Sequence, residues 1–368
     1  MIHDVIVKVT LDCNIRCKYC YVQRNRGYEG QDHIMSRNTL KMLMIRISDY
    51  LKNNPNIDQF TFYWHGGEPL LAGRAFFEEC FRLQQEYIPK NISLINTIST
   101  NGILLDKEWI NLIKKIGFAI CLSLDGPQEV HDAWRISKNG EGTYDRVVSS
   151  IKLLQQYNIT PSVLSVVTPE ALSDGQEIYH HLRQLGITWM DFMYPFYSII
   201  DNTLDQNIDP AEWGYFYKDV FDAWMNEGNP EVYIRLLNDL CMLRLGGRTT
   251  MCWSGSNCSY VITVDPSGNI YICDDLLSYS DSMLGNIHEA ALIDVDKNCR
   301  LSRLSKKSFI YGEECLNCSY FAYCMGGCTL FRARKLDDFH GKNYFCKSQR
   351  IIIDHINDFF QSIISQKS

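Results

Sequence analysis

The stretch that decides the fold reads Cys13-Asn14-Ile15-Arg16-Cys17-Lys18-Tyr19-Cys20. It follows residues 5–10, whose β-branched side chains predict a first strand. Three thiolates at this spacing can bind three irons of a cubane [4Fe–4S] cluster, because iron–sulfur sites use cysteine thiolates. No fourth cysteine lies nearby in the sequence, which would leave one iron open to another ligand. The alternative is a structural zinc site, which takes four ligands, commonly in paired Cys-x2-Cys knuckles.

The composition is that of an ordinary globular protein. The 368 residues are 46% hydrophobic and 21% charged, which is enough for a large core and two domains. A net charge of −7 without any basic block speaks against nucleic-acid binding. The sequence shows no signal-peptide pattern and no run of about 20 apolar residues. We therefore expect a cytoplasmic protein that does not span a membrane.

Fifteen cysteines are unusual for such a protein, and in a reducing cytoplasm they favour metal ligands over disulfides. Apart from the three in the opening stretch, eight crowd the last third of the chain: Cys252, Cys258, Cys273, Cys315, Cys318, Cys324, Cys328 and Cys346. Four stand alone and are expected to be small buried residues: Cys80, Cys121, Cys241 and Cys299. Eight thiols can bind two iron–sulfur clusters or two zinc ions.

Strands alternate with helices over the first 200 residues. Strands are predicted near residues 5–10, 59–64, 93–99, 118–124, 162–167 and 188–193. This alternation predicts an α/β fold with a parallel sheet and right-handed crossovers, and six such units predict a partial (β/α)6 barrel. Active groups are then expected at the C-terminal ends of the strands.

The rest of the chain divides into two further predicted regions. Residues 201–250 form a helical bridge whose aromatic stripe is expected to be core, and residues 251–368 form a cysteine-rich domain with a C-terminal helix. Within that domain, Asp265-Pro266-Ser267-Gly268 lies between two short apolar runs and predicts a β-hairpin. The barrel domain takes residues 1–200.

Polar motifs follow three of the predicted strands. His65-Gly66-Gly67-Glu68-Pro69 follows the second strand, where paired glycines permit close backbone approach and Glu68 can meet an ammonium group. Thr100-Asn101-Gly102 and Ser123-Leu124-Asp125-Gly126-Pro127 end the third and fourth. Taken singly, each motif is typical of an ordinary turn.

Taken together, the cysteine loop and the strand-end motifs resemble the radical S-adenosylmethionine (SAM) superfamily. The resemblance implies that Cys13, Cys17 and Cys20 hold a cluster whose open iron binds SAM. It implies that the SAM-binding residues are Tyr19, Tyr21, Gly66, Gly67, Glu68, Ser123, Arg135 and Val167. Among these, Gly66, Gly67 and Glu68 would hold the methionine amino group, Ser123 the ribose and Arg135 the carboxylate. The residues that face the substrate would be His65, Asn101 and Asp125.

The C-terminal cysteines resemble the SPASM domain of radical SAM enzymes that modify peptides and proteins. Following the anaerobic sulfatase-maturating enzymes residue by residue, one auxiliary [4Fe–4S] cluster would use Cys252, Cys258, Cys273 and Cys328. The other would use Cys315, Cys318, Cys324 and Cys346, which makes three [4Fe–4S] clusters in all. Asp274 matches the position of the proton acceptor proposed for that family, the alternative being an ordinary surface carboxylate.

The resemblance implies an enzyme that cleaves SAM to a 5′-deoxyadenosyl radical and oxidises a residue of a peptide or protein. Flavodoxin or ferredoxin would supply the electron. Sulfatase maturases usually carry glutamine where this chain has His65, and histidine there is familiar in enzymes that cross-link ribosomally made peptides. We therefore expect a cross-link or a related change, with formylglycine formation in a sulfatase as the alternative. A small-molecule radical enzyme with zinc in its C-terminal domain is a further alternative.

Overall fold

The computed structural model describes residues 1–24, 33–194, 208–249, 251, 258, 260–276, 282–297, 311–332 and 341–367. The strands are β1 Asp4–Thr10, β2 Ile15–Cys17, β3 Gln59–Gly66, β4 Ser93–Thr100, β5 Ala119–Ser123, β6 Arg135–Ser137, β7 Ser162–Val166, β8 Trp189–Met193, β9 Tyr233–Ile234, β10 Val261–Val264, β11 Asn269–Tyr271 and β12 Met283–Asn286. The helices are α1 Tyr21–Arg24, α2 Arg37–Lys52, α3 Arg74–Tyr87, α4 Lys107–Ile116, α5 Gln128–Trp134, α6 Tyr144–Gln156, α7 Gly175–Gln184, α8 Ala211–Glu227, α9 Arg235–Arg244, α10 Leu292–Lys297, α11 Glu313–Leu316, α12 Phe321–Cys324, α13 Thr329–Arg332 and α14 Cys346–Lys367. Short 3-10 turns cover Pro69–Ala72, Pro169–Ser173 and Asp274–Leu276.

The chain forms two compact units. The first comprises Met1–Ser123, Asp132–Pro161 and Cys258–Ser305, and the second comprises Leu124–His131, Ser162–Asn257 and Lys306–Ser368. The predicted division at residues 200 and 250 stays a prediction, although β10 to β12 belong to the same unit as β1. In the described part of the chain, no helix combines the length and apolar character that a membrane span needs.

The first unit is built on a sheet with the strand order β12-β11-β10-β1-β3-β4-β5. β10, β1, β3, β4 and β5 are parallel, whereas β11 and β12 run antiparallel to their neighbours. The hairpin predicted around the Asp265 turn is the β10–β11 pair. Because parallel strands end at the same edge of a sheet, the loops after β1, β3, β4 and β5 meet there.

Side chains of β3 point alternately to the core of the first unit and to its candidate site. Trp64 is fully buried, stacks on Phe62 and Phe118, and donates from Nε1 to Asn96 Oδ1 at 2.9 Å. His65, the next residue, is only partly buried and stands opposite Lys8 of β1 in the parallel register. Since successive side chains of a strand point to opposite faces, Trp64 serves the core and His65 the other face.

The second unit contains the parallel strands β7, β8 and β9 and the long helices α8 and α14. The aromatic stripe of α8 is buried, with Trp213, Phe216, Tyr217 and Phe221 almost without solvent contact. Their burial confirms the expectation that this stripe is core.

The predicted α/β fold class is confirmed, and each of the six predicted strands is present. The short strands β2, β6, β9 and β12 were not predicted. The expectation for the lone cysteines was wrong for two of them. Cys80 is fully buried, but Cys121 and Cys241 are only partly buried because they lie on the partly exposed faces of β5 and α9. Cys299 lies outside the described residues.

Candidate active site

The cysteine loop follows β1 and is held by the antiparallel pairing of β2 with β6. In this register Cys17 stands opposite Arg135. Arg135 is buried, its Nη1 lies 4.0 Å from Cys17 Sγ, and its guanidinium lies 5.3 Å from the centre of the Tyr19 ring. The structure thus brings a predicted cluster ligand together with two predicted SAM-binding residues.

The paired glycines after β3 permit a close approach, but the partner is the chain itself. A Cβ atom on Gly66 would lie 2.2 Å from the Thr10 carbonyl oxygen, and one on Gly67 would lie 2.1 Å from that of Asp12. The Gly67 amide donates to the Thr10 carbonyl at 2.7 Å. Any side chain here would therefore push the end of β3 away from the cysteine loop. The predicted contact of these glycines with SAM stays a prediction.

Glu68 ties the ends of β3 and β4 to the cysteine loop. Its fully buried carboxylate accepts from Thr100 Oγ1 at 2.6 Å and from the Asn101 amide at 2.9 Å. Burial raises the pKa of Glu68 to about 7 despite these hydrogen bonds. Asn101 Nδ2 donates to Asn14 Oδ1 at 2.8 Å and lies 3.8 Å from Cys13 Sγ. Asn101, predicted to face substrate, therefore contacts the cysteine loop in this structure.

The structure describes three other predicted site residues: Ser123, Asp125 and Val167. Ser123 ends β5 in the first unit and is partly buried. Asp125, in the second unit, is buried and accepts from a backbone amide of β7 at 2.9 Å. The Val167 amide donates to the Met193 carbonyl at 2.9 Å, and its carbonyl accepts from Trp213 Nε1 at 3.1 Å. Their roles toward SAM or substrate stay predictions.

Asp274 belongs to a polar group that we name the Lys8 cluster: Lys8, Tyr21, His65 and Asp274. The Lys8 ammonium donates to Tyr21 Oη at 2.7 Å, to Asp274 Oδ2 at 2.9 Å and to His65 Nδ1 at 3.1 Å. The Tyr21 hydroxyl also donates to the Asp274 carboxylate. An ammonium has three donors, and each has one acceptor here. All three hydrogen-bond donors of the Lys8 ammonium therefore have acceptors within the cluster.

Burial and charge together determine the protonation states of Lys8 and Asp274. Lys8 is fully buried, so its charge needs a partner, which Asp274 supplies. Burial would raise the pKa of Asp274, but Lys8 and the hydrogen bonds outweigh it and hold that pKa below its usual value. Asp274 Oδ1 lies 2.7 Å from the Lys8 nitrogen yet accepts no hydrogen bond from the described residues. The ionised carboxylate thus keeps one buried oxygen that can accept a proton.

Sequence reasoning missed Lys8, although the sequence holds a signal for it. Lys8 interrupts the run Val5-Ile6-Val7-Lys8-Val9 in a strand that the pattern already placed inside a parallel sheet. Lysine is almost never fully buried unless it is paired. A lysine at such a position therefore indicates a buried acid, but the sequence does not say which one.

Four C-terminal cysteines line one cavity in the second unit, which is partly open to solvent. They are Cys315, Cys318, Cys324 and Cys346, the set predicted for the second auxiliary cluster. Arg350 donates from Nη2 to Cys318 Sγ at 3.3 Å, while its buried Nε donates to no described residue. Four thiols, a cation and an unused donor around one cavity fit an anionic cluster.

The first auxiliary set cannot be assembled from the described residues, because Cys252 lies outside them. Cys258 and Cys273 belong to the first unit and Cys328 to the second, so this set stays a prediction. Within the described ranges, no three His, Cys, Asp or Glu side chains converge on a single metal ion.

Comparison with known proteins identifies the enzyme class. Residues 7–185 match the profile described as the Radical SAM superfamily. These residues form a radical SAM domain. SAM and a [4Fe–4S] cluster are the cofactors that this family implies. Burial raises the pKa of the Cys13 thiol to about 11, so a bound metal would be needed to keep it as a thiolate.

The chain is similar over most of its length to two types of sulfatase-maturating enzyme. It is 29% identical over 352 residues to the cysteine-type anaerobic sulfatase-maturating enzyme of Clostridium perfringens, covering 93% of each chain. It is 26% identical over 364 residues to the serine-type enzyme of Bacteroides thetaiotaomicron, covering 94% of this chain and 86% of that one. The solved structure of native anSMEcpe with bound AdoMet and Kp18Cys peptide matches with a TM-score of 0.89, 26% identity and 99% coverage of each chain.

Proposed function

We propose that this radical SAM enzyme oxidises a cysteine or serine side chain in a peptide or protein to formylglycine. The observation that carries the proposal is the Asp274 carboxylate, which Lys8 and Tyr21 hold in place. Its Oδ1 lies 2.7 Å from the Lys8 nitrogen and accepts no hydrogen bond from the described residues. Similarity to the cysteine-type and serine-type sulfatase maturases over nearly the whole chain supports the same activity. A cytoplasmic location and an electron supply from flavodoxin or ferredoxin are part of the proposal.

The chemistry requires removal of two electrons and two protons from the target side chain. When bound, SAM and its cluster supply the radical that takes one hydrogen atom from the target carbon, and the auxiliary clusters supply an acceptor for the remaining electron. Asp274 Oδ1 takes the remaining proton, because a pKa held below its usual value keeps this carboxyl ionised and able to accept one. An oxidised serine is already the aldehyde, whereas an oxidised cysteine is a thioaldehyde that takes up water and loses hydrogen sulfide.

The cofactors would be held by groups that the structure brings together in part. Cys13, Cys17 and Cys20 would hold the SAM cluster, next to Arg135 and Asn101. The four cysteines around the cavity of the second unit would hold an auxiliary cluster. A deoxyadenosyl radical attacks almost any C–H bond, so the site must hold the target carbon in place and keep water and competing groups away from it.

The expectation of a cross-linked peptide rests mainly on His65. His65 Nδ1 accepts a hydrogen bond from Lys8, as the side-chain oxygen of a glutamine can. Histidine at this position is therefore compatible with the same chemistry as glutamine. The similarity to sulfatase maturases favours the formylglycine alternative.

The experiment compares three peptides with one sulfatase-type sequence and a cysteine, a serine or an alanine at the target position. Each is incubated without oxygen with reconstituted enzyme, SAM and a strong reductant, and peptide mass and 5′-deoxyadenosine are both measured. We expect aldehyde from the cysteine or serine peptide in step with deoxyadenosine, and no product from the alanine control. Deoxyadenosine with unaltered peptides would leave a radical SAM enzyme but reject this substrate class.

A further inference from the structure

The side-chain amide of Asn101 is held in one orientation. Asn101 follows strand β4 in the first unit and is buried, with 6% of its surface exposed. One end of its amide lies 3.0 Å from the backbone nitrogen of Ile103. A backbone N–H only donates, so the atom that faces Ile103 must be the acceptor, Oδ1. The NH2 group of Asn101 therefore faces the cysteine loop.

The cysteine loop uses both hydrogens of this NH2 group. Nδ2 donates to Asn14 Oδ1 at 2.8 Å and to Cys13 Sγ at 3.8 Å, the longer distance reflecting the larger sulfur atom. Asn101 thus joins the end of strand β4 to the first cysteine of the loop.

Glu68 fixes the backbone of Asn101 in the same place. Its carboxylate accepts from the Asn101 amide at 2.9 Å and from the Leu70 amide at 3.1 Å, and it has no solvent exposure. Backbone and side chain of Asn101 are therefore both tied by hydrogen bonds. The NH2 group cannot turn away from Cys13 without breaking at least one of them.

We infer that Asn101 is a positioning residue of the SAM cluster, whose N–H donor to Cys13 raises the reduction potential of that cluster. The inference rests on the proposed ligation by Cys13, but not on the peptide or its product. Reduction adds negative charge to a cluster that its thiolates already make anionic. A donor to a ligand sulfur therefore stabilises the reduced state more than the oxidised state. Partners of this kind also hold metal ligands in place.

The first experiment looks for this hydrogen bond in the intact, reconstituted enzyme. Asparagine carries 15N only in its side-chain amide, the clusters are reduced without SAM, and pulsed electron paramagnetic resonance measures the coupling of 15N to the reduced cluster. A parallel sample with SAM identifies the signal, because SAM changes the signal of the cluster that it binds. We expect a coupling that is lost in Asn101→Leu. It should persist in the matched control Asn111→Leu, which changes an exposed asparagine of helix α4. Absence of the coupling from the unmodified enzyme would overturn the inference without any variant.

The second experiment follows the same signal in a redox titration. Leucine at position 101 is close to asparagine in size but has no N–H. We expect reduction to become about tenfold less favourable in Asn101→Leu, which is a fall of about 59 mV for one electron. Asn111→Leu should leave the potential unchanged. An unaltered potential in Asn101→Leu at full iron content would contradict the inference. If Asn101→Leu does not take up its clusters, the 15N coupling of the unmodified enzyme decides the question.

Cys13→Ala separates this inference from the ligation on which it rests. We expect this variant to lose the SAM-sensitive signal and about four irons. If it keeps both, Cys13 is not a ligand, and the proposed ligation fails together with the inference. If it loses both but neither coupling nor potential responds to Asn101→Leu, the inference fails alone. The peptide product enters neither measurement, so a failure of formylglycine formation would contradict the proposed function only.

Discussion

Lys8 and Arg350 are two cations in polar sites of different units, and their surroundings differ. The Lys8 ammonium is fully buried, and Tyr21, His65 and Asp274 accept all three of its hydrogen bonds. Arg350 donates to Cys318 Sγ, and its guanidinium lies 5.2 Å from the centre of the Tyr320 ring. Its Nε is nevertheless buried without an acceptor among the described residues.

In the Lys8 cluster, protein groups accept every hydrogen bond of the cation. In the Arg350 site, one donor has no acceptor among the described residues, and a bound ligand could supply it. A buried donor left without a partner costs about 1–3 kcal/mol, so proteins seldom keep one without a reason. The Lys8 ammonium has no unpaired donor and therefore no such cost, and the ionised Asp274 of its cluster can accept a proton. The cavity around Arg350 is lined by four cysteines and lacks an acceptor that an anionic cluster would supply.

The largest effect is expected from Lys8→Met, which removes the cation from the complete site. Asp274 would remain buried without its counter-ion, and breaking such a pair costs about 3–5 kcal/mol. Denaturant unfolding should show this loss in the free energy of unfolding. Lys218→Met is the matched control, since the Lys218–Asp222 pair is partly exposed on helix α8 and is expected to contribute less than about 1 kcal/mol. Equal losses in both variants would show that the Lys8 cluster is not a paired buried charge.

The next effect concerns turnover, through Asp274→Asn. Asparagine keeps the shape of the side chain and an acceptor for Lys8, but it is a far weaker base than a carboxylate. A positioned base contributes about 10²- to 10⁴-fold, so product formation should fall by at least about 100-fold while SAM cleavage persists. Asp58→Asn makes the same chemical change at an exposed position outside the Lys8 cluster and should preserve turnover. Unchanged product formation in Asp274→Asn would return this residue to a structural role.

The sequence predicts a site well when the residues that form it are close together in the chain, and poorly when they are far apart. Cys13, Cys17 and Cys20 lie within eight residues, so their spacing alone indicates a cluster, and the strand alternation is equally local. The Lys8–Asp274 contact joins residues 266 positions apart, and it depends on the order of strands in the sheet, which no local pattern contains. The sequence-based inference compared His65 with the glutamine of sulfatase maturases by residue type alone. The role of His65 depends on its hydrogen bond with Lys8, which lies opposite it in the β1–β3 register.

Glu68 lies between the Lys8 cluster and the Arg350 site in this comparison. Its buried carboxylate accepts hydrogen bonds from neighbouring groups but has no cation as a partner. Its pKa is raised from 4.5 to about 7 by burial, so the folded protein binds this proton more tightly than the unfolded chain does. Stability should therefore fall as pH rises from about 4.5 to about 7, by about 2.6 kcal/mol from this group. Unfolding measured across this range should show a flatter profile for Glu68→Gln than for the unmodified enzyme. Parallel profiles would mean that Glu68 is ionised throughout.

The smallest effect is expected from Arg350→Met, which tests whether the incomplete site holds an anionic cluster. Removing a positive charge and a hydrogen bond from a cluster ligand destabilises the reduced, more negative state, so the midpoint potential should fall. A difference of about 1.4 kcal/mol between the two oxidation states corresponds to about 60 mV for one electron. A redox titration followed by electron paramagnetic resonance would measure it on the reconstituted enzyme. Arg350→Lys retains the charge and should show a smaller fall. If neither variant changes any potential while iron content stays constant, Arg350 does not face a cluster, and its unused Nε needs another ligand.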